Sequence, residues 1–165
     1  MDENRTIKLA AAAYNLDWLN HWDDYEAKLT RWVEEAVEND ADILLFPEYG
    51  TLELASLDGE QITANIEDCI DAVSTKMGRV DALHQTLAQK HQVHICGASA
   101  SVRSNLGERP VNRAKFFSPD GGSTYQDKLI MTRFEREEWD IIAGQDLNVF
   151  ETALGTIGII ICYDS

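Results

Sequence analysis

The stretch over residues 22–37 sets the terms for everything around it. Its apolar residues Trp22, Tyr25, Leu29, Trp32, Val33, Ala36 and Val37 recur at helical spacing, and acids and bases fill the other side. That is the pattern of a helix with one buried stripe. It lies between two apolar runs, IKLAAAAY over residues 7–14 and ILLF over residues 43–46, each too short for a helix and apolar enough for a buried strand. The second run stops at Pro47, which has no N–H to give to a central ladder. Strand, helix and strand in that order lead to a layered α/β arrangement with the helix lying on the sheet.

The rest of the chain extends this plan. A second helical stretch is expected over 62–91, with Gly78 marking a break and with Val80, Leu83, Leu87 and the aliphatic part of Lys90 on one side. Residues 93–98 read as a strand entering a turn of small residues. Residues 111–117 alternate and lead into Ser118-Pro119-Asp120-Gly121-Gly122, a strong turn signal. Residues 123–130 form the returning arm of that hairpin. A second hairpin is expected from 147–152 and 156–162, bending at Leu154-Gly155. No repeat, low-complexity tract or linker interrupts this order. The expectation is one α/β domain over residues 1–165, with helices on a mixed sheet.

Charge narrows the partners. Asp and Glu number 29 against 14 Lys and Arg, a formal net charge of −15. Binding to nucleic-acid phosphates needs a basic surface, and anionic membranes attract the same sign, so both are excluded as partners. No apolar run approaches the ~20 residues of a membrane span. The start, MDENRTIKL, is acidic and lacks the apolar region of a signal peptide. Three cysteines, Cys69, Cys96 and Cys162, form no CxxC pair, which points to reduced thiols and a cytoplasmic address.

Three short stretches carry reactive side chains: FPEYG over 46–50, YQDKLIMTRFE over 125–135 and ICYDS over 161–165. Two of them place a carboxylate or a thiol just past an expected strand, and the third puts a lysine near the end of a hairpin arm. In layered α/β proteins such positions gather in the crevice at the strand ends. A carboxylate, an ammonium and a thiol meeting there supply a base, an anion stabiliser and a nucleophile.

On these residues the sequence resembles the nitrilase superfamily of carbon–nitrogen hydrolases, whose signature is a Glu-Lys-Cys triad in this chain order. The glutamate of the FPE segment matches Glu48, the lysine after the SPDG hairpin matches Lys128, and the cysteine of ICYD matches Cys162. The segment between Lys128 and Trp139 resembles the region of the family's second active-site glutamate. Glu135 is the choice there, with Glu137 and Glu138 as alternatives. Two positions depart from the family pattern: Ile130 stands where a histidine is usual, and Arg133 where a proline often precedes the second glutamate. The resemblance implies a four-layer αββα sandwich, of which this chain is expected to be the N-terminal half to two-thirds, ending just after the nucleophile. It also implies a homodimer or higher homo-oligomer, a small-molecule amide or nitrile substrate, and no cofactor.

The chemistry follows from the residue types. Amides resist water, so a stronger nucleophile attacks first, and a free thiol near pKa ~8.5 is only slightly ionised at neutral pH. Cys162 therefore needs a base within hydrogen-bond reach, the role given to Glu48. Lys128 and the backbone N–H of Tyr163 would stabilise the anion formed on attack. Glu135 would hold Lys128 or bind the departing amine. The expected reaction is hydrolysis of a non-peptide C–N bond through a cysteine thioester, on an amide rather than a nitrile or N-carbamoyl group. The alternatives are a non-catalytic partial chain and an amidase-like acyltransferase.

Other features have plainer readings. His91 and His94 straddle an expected helix end and strand start, without an acid to complete a metal set, so no metal site is assigned. Cys69 and Cys96 read as core or helix-face residues. Trp18, Trp22 and Trp32 read as packing, at the core or at an oligomer contact.

Overall fold

The structure is a computed structural model that describes residues 6–165. The acidic start at Met1–Arg5 lies outside the described residues. Strand β1 (Leu9–Ala11) leads to helix α1 (Trp22–Glu38) and strand β2 (Ile43–Leu45). A 3-10 helix (Gly50–Asp58) and the short helix α2 (Glu60–Thr63) precede the long helix α3 (Ile66–His91). Strands β3 (His94–Cys96), β4 (Ala100–Val102), β5 (Val111–Phe117) and β6 (Ser123–Asp127) follow. Helix α4 (Arg133–Glu137), strands β7 (Val149–Thr152) and β8 (Gly155–Gly158), and a final 3-10 turn (Cys162–Asp164) complete the order.

Helix α1 begins where its sequence supplies a cap. The Asp24 carboxylate accepts the N–H of His21 at 2.9 Å, and Asp23 and Asp24 lie in the first turn, where the helix dipole favours negative charge. Tyr25, Leu29 and Val33, spaced by four, are buried. Helix α3 starts at Asn65, whose side chain accepts from the N–H of Glu67 and of Asp68, and stops at Gln92 in the left-handed region. The expected break at Gly78 is absent. The helix runs 26 residues because a glycine costs it about 1 kcal/mol, less than the packing of Val73, Val80, His84 and Leu87 returns. The real interruption is at Ala64–Asn65, where α2 ends and the cap begins.

Strands β1, β2 and β3 run parallel, with Leu9, Ile43 and His94 in register. Strands β3 and β4 then lie end to end along one edge of β5, antiparallel to it, and β6 pairs with its other edge. Leu44, Ile95 and Phe117 point to the side of α1 and α3 and join Leu29, Val33, Val80 and Leu87 in the main core. The opposite face carries Cys96, Ala114 and Phe116, covered by Phe150 and Ile161 from the β7–β8 segment. Toward β1 that face is open: Leu9 is 58% exposed and Leu45 39%.

The expected strands are shorter than their apolar runs. Only Leu9–Ala11 of residues 7–14 pairs, and β6 stops at Asp127 rather than 130. The expected strand over 156–162 pairs only from Gly155 to Gly158, and the chain then extends through Ile161 into the 3-10 turn that begins at Cys162. The three tryptophans differ in their surroundings. Trp22 packs on Tyr25 and carries Arg79 over its ring, Trp32 lies 6.2 Å from the Tyr14 ring, and Trp18 is exposed. His94 stacks on Phe116, whereas His91 lies beside Glu34.

Candidate active site

Glu48 sits in a tight turn that directly continues β2. The N–H of Phe46 still donates to Cys96 O, after which Pro47 ends the ladder. Tyr49 takes φ 57°, a left-handed conformation that is uncommon for a residue with a side chain. It is held there by its own N–H, which donates to Ser99 Oγ at 3.0 Å. Gly50 packs on Ala98 so closely that a Cβ would come within 2.8 Å of the Ala98 methyl. This turn presents Glu48 at the carboxyl end of β2.

Lys128 follows β6 on the same face as Gln126, and its N–H donates to Asn112 O at 2.8 Å. Its ammonium is almost fully buried, with the side chain 1% exposed. Two carboxylates meet it: Glu48 Oε1 at 2.7 Å and Glu135 Oε2 at 2.7 Å. Burial alone would push the Lys128 pKa down, but the two carboxylates more than reverse this and hold it above its ordinary value.

Glu135 lies on α4, a helix of only five residues that begins with a capping box. Thr132 Oγ1 accepts from the Glu135 N–H, and the Glu135 carboxylate accepts from Thr132 N–H at 2.9 Å and Thr132 Oγ1 at 2.8 Å. The Tyr49 hydroxyl donates to Glu135 Oε1 at 2.6 Å. Burial opposes ionisation of Glu135. The donors from Lys128, Tyr49 and Thr132 outweigh it and bring the pKa down to about 2. The same contact, added to burial, pushes the Tyr49 hydroxyl well up. Glu137 pairs with Arg133 on the exposed side of α4, and Glu138 is exposed. Of the three acids, the structure brings Glu135 to Lys128.

Cys162 is exposed and adopts φ 50°. The neighbouring Glu48 carboxylate is the main reason its pKa is raised; slight burial adds to this, while Lys128 and the backbone N–H of Tyr163 oppose it. The sulfur therefore rests as a thiol on the same cavity as that carboxylate. The Tyr163 ring itself points to solvent at 61% exposure. A cavity of about 310 Å³ opens beside the thiol, lined by Ala12, Leu45, Cys96, Ala114 and Ile160, with Glu48 and Cys162 as its polar end. Cys96 in that wall is buried and its pKa is pushed up to about 12.

Two residues outside the sequence reading hold this arrangement. Asn112 Nδ2 donates to Glu48 Oε1 at 2.9 Å and to Glu135 Oε1 at 3.2 Å. Asp164 ties the Lys128 and Cys162 segments together: Oδ1 accepts from Leu129 N–H at 3.0 Å and Ile130 N–H at 2.7 Å, and Oδ2 from Ile161 N–H at 3.1 Å. Asn112 carries a readable signal, because it is an amide at an inward position of an otherwise apolar strand face shared with Ala114 and Phe116. Ile130, at a departure from the family pattern, takes part through its backbone while its side chain is half exposed. Among the described residues no group of three or more His, Cys, Asp or Glu is placed to hold a metal ion. No helix of the described residues is long and apolar enough to cross a membrane.

The model of the carbon-nitrogen hydrolase family matches residues 8–165. The chain belongs to that family. It is 30% identical over 166 residues to a probable hydrolase of Bacillus subtilis (strain 168), YhcX, covering 96% of this chain and 30% of the relative. It superposes on a CN-hydrolase superfamily protein of Xanthomonas campestris, solved with an arsenic adduct in its active site, with a TM-score of 0.65 at 21% identity. That match covers 96% of this chain and 52% of the other. An amidase from Nesterenkonia sp. gives 0.59 at 17% identity, over 95% and 56%. The chain thus spans about half the length of these solved structures and under a third of the curated relative, and its α/β layers are the nitrilase-type fold over that part.

Proposed function

We propose that the protein is a thiol hydrolase of small amides, with Cys162 as nucleophile, Glu48 as base, and Lys128 and the Tyr163 N–H stabilising the tetrahedral anion. The observation that carries this reading is that the Cys162 thiol and the Glu48 carboxylate line one cavity, with Glu48 also paired to the buried Lys128 ammonium at 2.7 Å. In the first half-reaction the Cys162 sulfur bonds to the amide carbon as its proton passes to Glu48. Negative charge on the carbonyl oxygen falls beside Lys128, the kind of preorganised donor worth about 3–4 kcal/mol in a transition state. The C–N bond then breaks and the amine leaves with the proton from Glu48. Water next attacks the thioester, Glu48 takes its proton, and the carboxylic acid departs as the thiol is restored. Glu135 keeps Lys128 charged and fixed throughout.

Amide rather than nitrile is favoured because the match to an amidase structure extends over 95% of this chain. Three free cysteines fit a reducing, cytoplasmic setting, and the open sheet face fits a homo-oligomer or a longer partner surface. The test is intact-mass analysis of the full chain with a panel of primary amides. An acyl adduct on Cys162, lost in Cys162→Ala together with ammonia release, is the expected result. Ammonia release that survives Cys162→Ala would overturn the reading. Added hydroxylamine that captures the acyl group faster than water does would instead favour the acyltransferase.

A further inference from the structure

One residue touches all three charged members of the cluster. Asn112 lies inside β5, its carbonyl accepting the Lys128 N–H at 2.8 Å and its side-chain amide donating to both glutamates that flank the Lys128 ammonium. It is fully buried, and its strand is paired on both edges at this level, with Ser101 opposite it in β4. The orientation of the amide is set by chemistry: ionised carboxylates only accept, so Nδ2 and not Oδ1 must face them. Oδ1, turned away, is buried with no partner among the described residues.

The two glutamates are held unequally. Glu135 receives Lys128, Tyr49, Asn112, and both the N–H and the hydroxyl of Thr132. Glu48 receives Lys128 and Asn112, and both nitrogens land on Oε1. Lysine is a flexible point charge that follows a carboxylate as it turns, so it cannot by itself dictate which oxygen of Glu48 faces the thiol. An amide anchored in a strand interior can.

Building on the reading of Cys162 and Glu48 above, we propose that Asn112 is a positioning residue that clamps Oε1 of Glu48 and so turns Oε2 to Cys162. It donates a hydrogen bond but never a proton at working pH, so the proton taken from the thiol stays on Glu48 for the leaving amine. The titratable groups facing this centre are Lys128, Glu135, Tyr49 and Cys162 itself.

The test compares the parent with Asn112→Leu, which removes the donor without adding charge, and Asn112→Asp, which is nearly isosteric. The readouts are iodoacetamide alkylation of Cys162 against pH, followed by mass spectrometry, and kcat and KM on whichever amide the parent hydrolyses. With the clamp gone, Oε2 of Glu48 is no longer held toward the thiol, and the sulfur loses the acceptor that keeps its pKa up. The alkylation midpoint of Asn112→Leu therefore moves down by about one pH unit, and kcat falls about 10²-fold while KM changes less than about threefold. Asn112→Asp cannot donate while ionised and adds a negative charge beside Glu48, so its midpoint moves up instead, and its kcat loss is partly restored on acidification once the new carboxyl is protonated and can donate. Folded variants, judged by unchanged thermal melts, that keep the parental alkylation profile would overturn the proposal; Asn112→Asp alone decides it if Asn112→Leu does not fold. Failure of the underlying reading looks different. The parent itself would then hydrolyse amides without Cys162, whatever Asn112 did.

Discussion

Glu48 and Glu135 bear identical side chains and sit either side of one ammonium, yet the donors around them divide their roles. Glu135, with donors from Lys128, Tyr49, Asn112 and Thr132, is held ionised down to about pH 2. A carboxyl whose folded pKa lies below its ordinary 4.5 stabilises the fold above that ordinary value and loses the contribution as pH falls through the folded one. Urea melts of the parent should therefore lose stability between about pH 4.5 and pH 2 more steeply than those of Glu135→Gln. Equal slopes would mean the Lys128–Glu135 contact is not formed in solution. Lys128→Met tests the other partner. Removing one member of a buried charge cluster typically costs about 3–5 kcal/mol, because the two glutamates are left facing each other at 24% and 4% side-chain exposure. The variant should be least stable near neutral pH and recover on mild acidification, the reverse of the parent, as measured by the same melts. The residue types at Glu48, Lys128 and Cys162 were readable because each stands beside a strong local signal: a proline, a hairpin, a β-branched run. Asn112 and Asp164 were not assigned a role, because most of their work is done on residues distant in the chain, 64 positions away for the Asn112–Glu48 bond, and the amide on an apolar strand face was the one local signal of it.

At the scale of elements, periodic stretches and apolar runs were legible, and the elements that went unread had neither. Helix α1 and strand β5 appear where their spacing places them, within a residue at the ends. The 3-10 helix Gly50–Asp58 has no amphipathic stripe to read: Gly50, Thr51, Glu53, Leu54, Ala55 and Ser56 are all buried. Strand β4 is three residues of small side chains with meaning only in register with β5. Helix α4 is shorter than any periodicity window, though its Thr132-x-x-Glu135 capping box was written in the sequence. The misread break at Gly78 gives a direct check on α3. A Cβ there meets nothing within 4 Å, and the residue is exposed within a continuous helix. Gly78→Ala should therefore stabilise the protein by about 0.5–1 kcal/mol, seen as a rise in Tm. A lower Tm would show that the helix does break there.

For the molecule as a whole, the two faces of the main sheet are in different states, and that difference controls association. One face is closed by α1 and α3 over a core in which Val33, Ile95 and Ala100 reach 0% exposure. The other is closed only where the β7–β8 segment reaches it, which leaves Ile7, Leu9, Leu45 and Ile160 between 39% and 58% exposed. Burying one such side chain fully is worth about 1.5–3 kcal/mol, and among the described residues β1 pairs on one side alone, leaving an edge beside Lys8. Against this stands the net charge of −15, whose repulsion is long-ranged only at low ionic strength, since the Debye length shrinks from about 30 Å at 0.01 M to about 8 Å at 0.15 M. Sedimentation velocity of the 165-residue chain should thus show mass rising with concentration, and rising further when salt is added. Leu9→Lys puts a charge into the open strip without touching the Glu48–Lys128–Glu135 cluster. It should restore smaller species and reduce dye binding to exposed apolar surface, with the alkylation rate of Cys162 unchanged. A chain that sediments as a monomer at every concentration and salt, and binds no such dye, would mean that the exposed strip is closed in solution by a rearrangement of its own strands.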